Sequence, residues 1–158
     1  MFLGGYISYL TTFFITGDNF KMFGPKKYRK QLLDLGIEGM EIAVSTIDEA
    51  MNTLNELNEM EKILKKIRFN VRADIRKIRL DYMAKLKEVD NSANVKKGLF
   101  SRKKSVSKIT QEKKMITKER NLTIASYDVV ENTIDDYLDQ IENSRYYIKN
   151  SIQRRVGN

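Results

Sequence analysis

Four arginines, Arg68, Arg72, Arg76 and Arg79, recur at spacings of 4, 4 and 3. On a helix this spacing puts them on one narrow face. Arg at each position, rather than Lys, suits bidentate contact with carboxylate or phosphate oxygens. A second basic group, Lys97, Arg102, Lys103 and Lys104, lies in the run KKGLFSRKKSVSK around the apolar pair Leu99-Phe100. Two anionic partners fit such residues. Nucleic acid would be gripped through its phosphates, in a salt-sensitive and largely sequence-independent way. An anionic membrane surface would be held by the lysines while Leu99 and Phe100 insert between headgroups. The plainer alternatives are a solvated basic face, arginines neutralised by an acidic partner chain, and Leu99-Phe100 capping the end of a helical core.

Catalytic chemistry has few carriers here. The chain has no His and no Cys, which removes the usual zinc and iron ligand sets, Cys nucleophiles, Ser-His-Asp triads and histidine acid/base chemistry. Carboxylates could hold Mg²⁺ or Ca²⁺, but the EF-hand loop pattern and the Gly-rich phosphate-cradling loops are both missing. The chain therefore reads as non-enzymatic, with no cofactor, no bound metal and no small-molecule substrate. No motif in it is specific enough to indicate a family.

The elements that would carry the basic residues are helical. The chain has 158 residues, one domain by length, with 32% charged residues, a single Pro and no Trp. From Met40 to Lys97 there is no Gly and no Pro, so one helix is expected over 26–90, and an unbroken 40–97 run would extend roughly 87 Å. Leu33, Ile37, Met40, Val44, Ile47, Met51 and Leu54 alternate in steps of 4 and 3, a heptad seam of the coiled-coil kind. A 3-3 step at Leu54-Leu57-Met60 then hands the seam to Leu64, Ile67, Val71, Ile75, Ile78, Tyr82, Leu86 and Val89, a slip that locally overwinds a coil.

Residues 91–107 read as a basic turn opened by Asn91-Ser92-Ala93-Asn94 and broken at Gly98. A return helix is expected over 108–156, capped by Ser107 or Thr110, with Tyr127, Val130, Ile134, Tyr137, Ile141, Ile148 and Ile152 as its seam. Ile134, Ile141 and Ile148 are the heptad-spaced members expected to pair with the first helix. Folding near Gly98 would place Lys149 and Arg154 near Glu41, Asp48 and Glu49, and Asp128 and Glu131 near Lys65 and Arg68. Complementary charges of this kind set helix orientation. From Lys62 to Arg120 there are 20 bases and 6 acids, a net +14 within an overall +8. Positive charge is therefore concentrated at the turn end of such a fold.

The first 21 residues carry an uncharged run, Met1 to Gly17. As a membrane helix it is short, since a span takes about 20 apolar residues. As a secretory signal it lacks a basic n-region and a small-residue cleavage site. The third reading is that translation begins at Met22, because Gly17-Asp18 can be encoded by a hexamer resembling a prokaryotic ribosome-binding site. Gly24 would then cap a helix opened by Pro25. The expectation is an all-α, elongated antiparallel helical hairpin or coiled coil, oligomeric through its own seams or with another long helix. It would act as a cytoplasmic, non-catalytic interaction protein whose basic end contacts nucleic acid. If residues 1–21 are a genuine anchor, a membrane-associated helical protein is the alternative. A purely structural self-assembling coiled coil is the third.

Overall fold

The protein is described by a computed structural model over residues 22–94 and 105–157. Among these residues it is all-α, as expected, and without strands. Helix α1 spans Pro25–Asp34, α2 spans Ile47–Asn94 and α3 spans Val106–Val156, with a single 3₁₀ turn at Ile37–Gly39. The long helices α2 and α3 pack against each other in opposite directions. Their cross-helix partners count upward on one and downward on the other: Glu61 with Arg145, Arg68 with Asp135, Tyr82 with Glu119, and Asp90 with Lys113.

The continuous helix expected over 26–90 does not form. Gly24 precedes Pro25 at the first turn of α1, where a missing N–H costs nothing. Gly36 then adopts the left-handed region (φ 65°, ψ 22°), a conformation that a residue with a Cβ resists. The chain continues through the 3₁₀ turn and an extended stretch to Thr46. There a capping box starts α2: the Thr46 hydroxyl accepts from the Glu49 N–H at 3.1 Å, and the Glu49 carboxylate accepts from the Thr46 N–H at 3.2 Å. Two otherwise orphaned donors are satisfied reciprocally.

The reason for the break lies in the partner helix. Helix α2 has 48 residues and α3 has 51, so their ends coincide. Helix α3 ends at Val156, so among the described residues a helix continued upstream of Ile47 would have no helix beside it to bury its apolar face. Residues 23–46 instead fold back along the pair. Tyr28, Leu32, Leu35 and Ile37 become buried against it, joined by the partly buried Met40 and Val44.

The expected early seam is therefore redistributed. Leu33 is 67% exposed, Met51 48% and Ile47 44%. Ile37 is buried, and Met40, Val44 and Leu54 are partly buried, but the first three pack from the folded-back segment and not from one helix face. The core of α2 is Leu57, Met60, Leu64, Ile67, Val71, Ile75, Ile78, Tyr82 and Val89. That of α3 is Tyr127, Val130, Ile134, Tyr137, Ile141 and Ile148. Burying each such side chain contributes about 1.5–3 kcal/mol relative to leaving it in water.

Polar ties hold the folded-back segment in register. Asp74 of α2 is 1% exposed. Its carboxylate accepts from the Tyr28 hydroxyl at 2.7 Å and from the Phe23 N–H at 3.1 Å. The Tyr127 hydroxyl donates to the Phe23 carbonyl at 2.8 Å, and that of Tyr137 to Glu38 at 2.8 Å. Lower down, the Thr53 hydroxyl donates to the Ala43 and Glu49 carbonyls, and Arg155 donates to that of Ser45. Burial, then the hydrogen bond to Asp74, pushes the Tyr28 phenol far above its ordinary value. Burial also raises Tyr127.

Candidate polyanion-contacting surface

The folded-back segment covers the helix pair only up to the level of Asp74 and Tyr127. Beyond that level, among the described residues, α2 and α3 continue without the folded-back segment, and here the charge accumulates. In sequence, residues 75–120, of which 95–104 lie outside the described residues, contain 15 bases and 5 acids, a net +10, which leaves −2 for the rest of the chain. Charge concentrated on one end produces a long-range field that the overall +8 understates.

The four arginines of the α2 face separate into two pairs. Arg68 donates to Asp135 at 2.8 Å, and Arg72 is paired with Glu131. Both are thus occupied in fastening α2 to α3. The charge pairing expected across the helices is shifted by about one turn. Glu131 meets Arg72 in place of Lys65 or Arg68, while Lys65 turns to Glu61 on its own helix at 2.6 Å. Arg145 also meets Glu61, and these two cations hold the Glu61 carboxyl below the usual range, Lys65 first. Lys149 and Arg154 make no ion pair with Glu41, Asp48 or Glu49.

Arg76 and Arg79 are exposed and make no ion pair among the described residues. The acids that occupy Arg68 and Arg72 belong to the run 128–142 of α3; of that run only its first member, Asp128, comes to the groove beside Arg79, without forming an ion pair. Opposite Arg79 the register places Arg120 instead. Arg79 and Arg120 line the same open groove with Met83, Asn121, Ile124 and Asp128. The Arg120 Nε and Nη2 both donate to the Asn121 side-chain oxygen, at 3.2 and 3.1 Å. That holds the guanidinium plane while leaving its charge uncompensated. A neighbouring groove along α3 is lined by Lys113, Lys114, Thr117, Lys118 and Leu122, among others.

Other cations of this end differ in how committed they are. Lys113 pairs with Asp90. Lys85 lies over the Tyr82 ring at 4.4 Å, while the Tyr82 hydroxyl donates to Glu119 at 2.9 Å. Lys77, Lys87, Lys114 and Lys118 have no ion pair among the described residues. An array of uncompensated cations on two parallel-lying rods can satisfy phosphate or carboxylate oxygens along an extended polyanion.

Residue type and spacing do not single out Arg120, because it shares no helix with Arg79; only the antiparallel register joins them. Lys97, Arg102, Lys103 and Lys104, and the apolar pair Leu99-Phe100, lie outside the described residues, as does the leader 1–21. Among the described residues no helix is long and apolar enough to cross a membrane, and no cluster of acids is grouped to hold a metal ion. No protein family, curated protein or solved structure matches the chain.

Proposed function

We propose that the protein is a non-catalytic, cytoplasmic interaction protein. Its two long helices form an antiparallel hairpin of the coiled-coil kind, and the basic end of that hairpin contacts the phosphate backbone of nucleic acid. The observation that carries this reading is the convergence of Arg79 and Arg120 on one groove, with Arg76 beside them and no ion pair on any of the three among the described residues. Guanidinium groups suit bidentate phosphate contact. Contacts of this kind position a protein on a backbone without reading sequence.

The test is binding of the full chain to duplex DNA, to RNA and to anionic lipid vesicles at low and moderate salt. Arg76→Glu/Arg79→Glu and Arg79→Glu/Arg120→Glu are compared with Arg29→Glu/Lys30→Glu, an equal charge change on α1. Nucleic-acid binding should weaken steeply with salt, with a log–log slope of about −0.9 per phosphate contacted on duplex DNA. Both distal double variants should abolish it, and the α1 variant should retain it. Equal losses from all three variants would reduce the effect to net charge. Binding to vesicles alone would transfer the surface to lipid, and binding to none would remove the anionic partner.

A further inference from the structure

Met115, Leu122 and Val129 of α3 are 62%, 65% and 51% exposed. They stand seven residues apart, so they share one face of the helix, drifting only slightly from turn to turn. The small, exposed Ala125 lies between Leu122 and Val129 on the same side. Neither α2 nor the folded-back segment covers this stripe. Three large apolar side chains in heptad register on an outer helix face have the form of a helix-pairing seam.

The charge along α3 indicates what pairs with it. Before the middle of the stripe stand Lys108, Lys113, Lys114, Lys118 and Arg120; after it, residues 128–142 carry six acids and no base. Helix α3 is therefore complementary to itself when reversed. We infer that the Met115–Leu122–Val129 face of α3 pairs with the same face of a second copy, antiparallel, about a two-fold axis near Ala125. Leu122 then meets the partner's Val129, and Val129 meets the partner's Leu122. Lys114 and Lys118 come within a turn of the partner's Asp136 and the partner's Asp139, and the same pairs repeat on the other side of the axis. A parallel arrangement would instead set the basic half of one copy against that of the other, at a cost.

Two further features fit this register. A cleft lined by five polar residues, Asp136, Asp139, Gln140, Asn143 and Ser144, together with Ile42 and Tyr147, begins at the level where the partner's Met115 arrives and offers the nearby lysines two carboxylates. Arg79 and Arg120 are not on the stripe and stay open. The pairing therefore sends two basic ends in opposite directions, so that one dimer could contact a polyanion at two places.

The test is sedimentation velocity of the full chain from low to about 100 µM, a range that brackets a self-association of moderate strength. The expected result is a dimer. Leu122→Glu and Val129→Glu, both at exposed positions, should leave the far-ultraviolet circular dichroism unchanged and give monomer. Each counts twice across a two-fold axis, so dimerisation should weaken by about 100-fold or more. Lys114→Glu/Lys118→Glu should weaken it by about tenfold, and adding Asp136→Lys/Asp139→Lys to the same chain should restore it. A protein monomeric throughout the range, or a dimer insensitive to Leu122→Glu, would overturn the inference. So would a charge reversal that the compensating pair fails to rescue. Lys114 and Lys118 belong to both surfaces, so the two readings are separated by Arg79→Glu/Arg120→Glu, which leaves the stripe and its flanking lysines intact.

Discussion

Replacing Tyr28 by Phe should loosen the folded-back segment from the long helices while leaving those helices paired. The Asp74 carboxylate is 1% exposed and accepts from the Tyr28 hydroxyl at 2.7 Å and the Phe23 N–H at 3.1 Å. Removing the phenol hydroxyl deletes the shorter of two hydrogen bonds to a buried charged group, and bonds of that kind contribute about 1.5–3 kcal/mol. The ring itself stays and keeps its packing against Phe23 and Tyr127, whose centroids lie 5.9 and 6.3 Å away. Tyr28→Phe should therefore cost about 2 kcal/mol in urea unfolding followed by circular dichroism. In a cycle with Asp74→Asn the coupling should be on the order of 1 kcal/mol or more. Hydrogen exchange supplies the spatial readout: amides of α1 should lose protection while those around Leu64 and Val71 in α2 keep theirs. A cost below about 0.5 kcal/mol, the range of an ordinary surface change, or a protection loss spread evenly over all three helices, would refute the reasoning that Asp74 anchors this segment.

High pH should act on the same segment through a second tyrosine. Burial, then the hydrogen bond to Glu38, pushes the Tyr137 phenol up to about 12. An unfolded chain ionises near its ordinary value of about 10, so the stabilisation is complete below that pH and is lost as the pH rises toward 12. Tyr137→Phe should lessen the alkaline fall in stability, as read by unfolding midpoints across this window, and an unchanged fall would count against the Glu38 contact. In the core, Leu64→Ala should cost about 2–5 kcal/mol, whereas Met51→Ala, at a 48% exposed position, should stay within about 0.5 kcal/mol. Equal costs at the two positions would restore the single straight seam that the heptad spacing implied.

The later seam was legible because its spacing and its surroundings agree. From Leu57 onward on α2, and from Tyr127 onward on α3, apolar residues recur at helical intervals between charged ones, and the side chains so marked are buried except Leu86 and Ile152, which are half-buried. The earlier stretch carried an equally regular heptad, yet Leu33, Ile47 and Met51 are exposed. Periodicity says which residues could share a face, not whether anything lies opposite that face. Two local signals for the break were present: Gly36, which takes the left-handed conformation, and Thr46-Ile47-Asp48-Glu49, which has the pattern of a capping box. Asp74 was legible only as an acid within a basic helix. Its burial depends on Tyr28 and Phe23 arriving from 46 and 51 residues away.

The basic surface shows the same division. Composition and order alone determined that the chain is helical, that it lacks His and Cys chemistry, and that its positive charge gathers between Lys62 and Arg120. These properties are local or additive, so they survive any choice of tertiary arrangement. Which cations remain uncompensated is a different kind of fact. Arg68, Arg72, Arg76 and Arg79 are equivalent by type and spacing. The antiparallel register sets the first two against Asp135 and Glu131 and the last beside Arg120. Register is decided by packing Leu64, Val71, Ile134 and Ile141 between the helices, and a shift of one turn would exchange the partners of every charge along them.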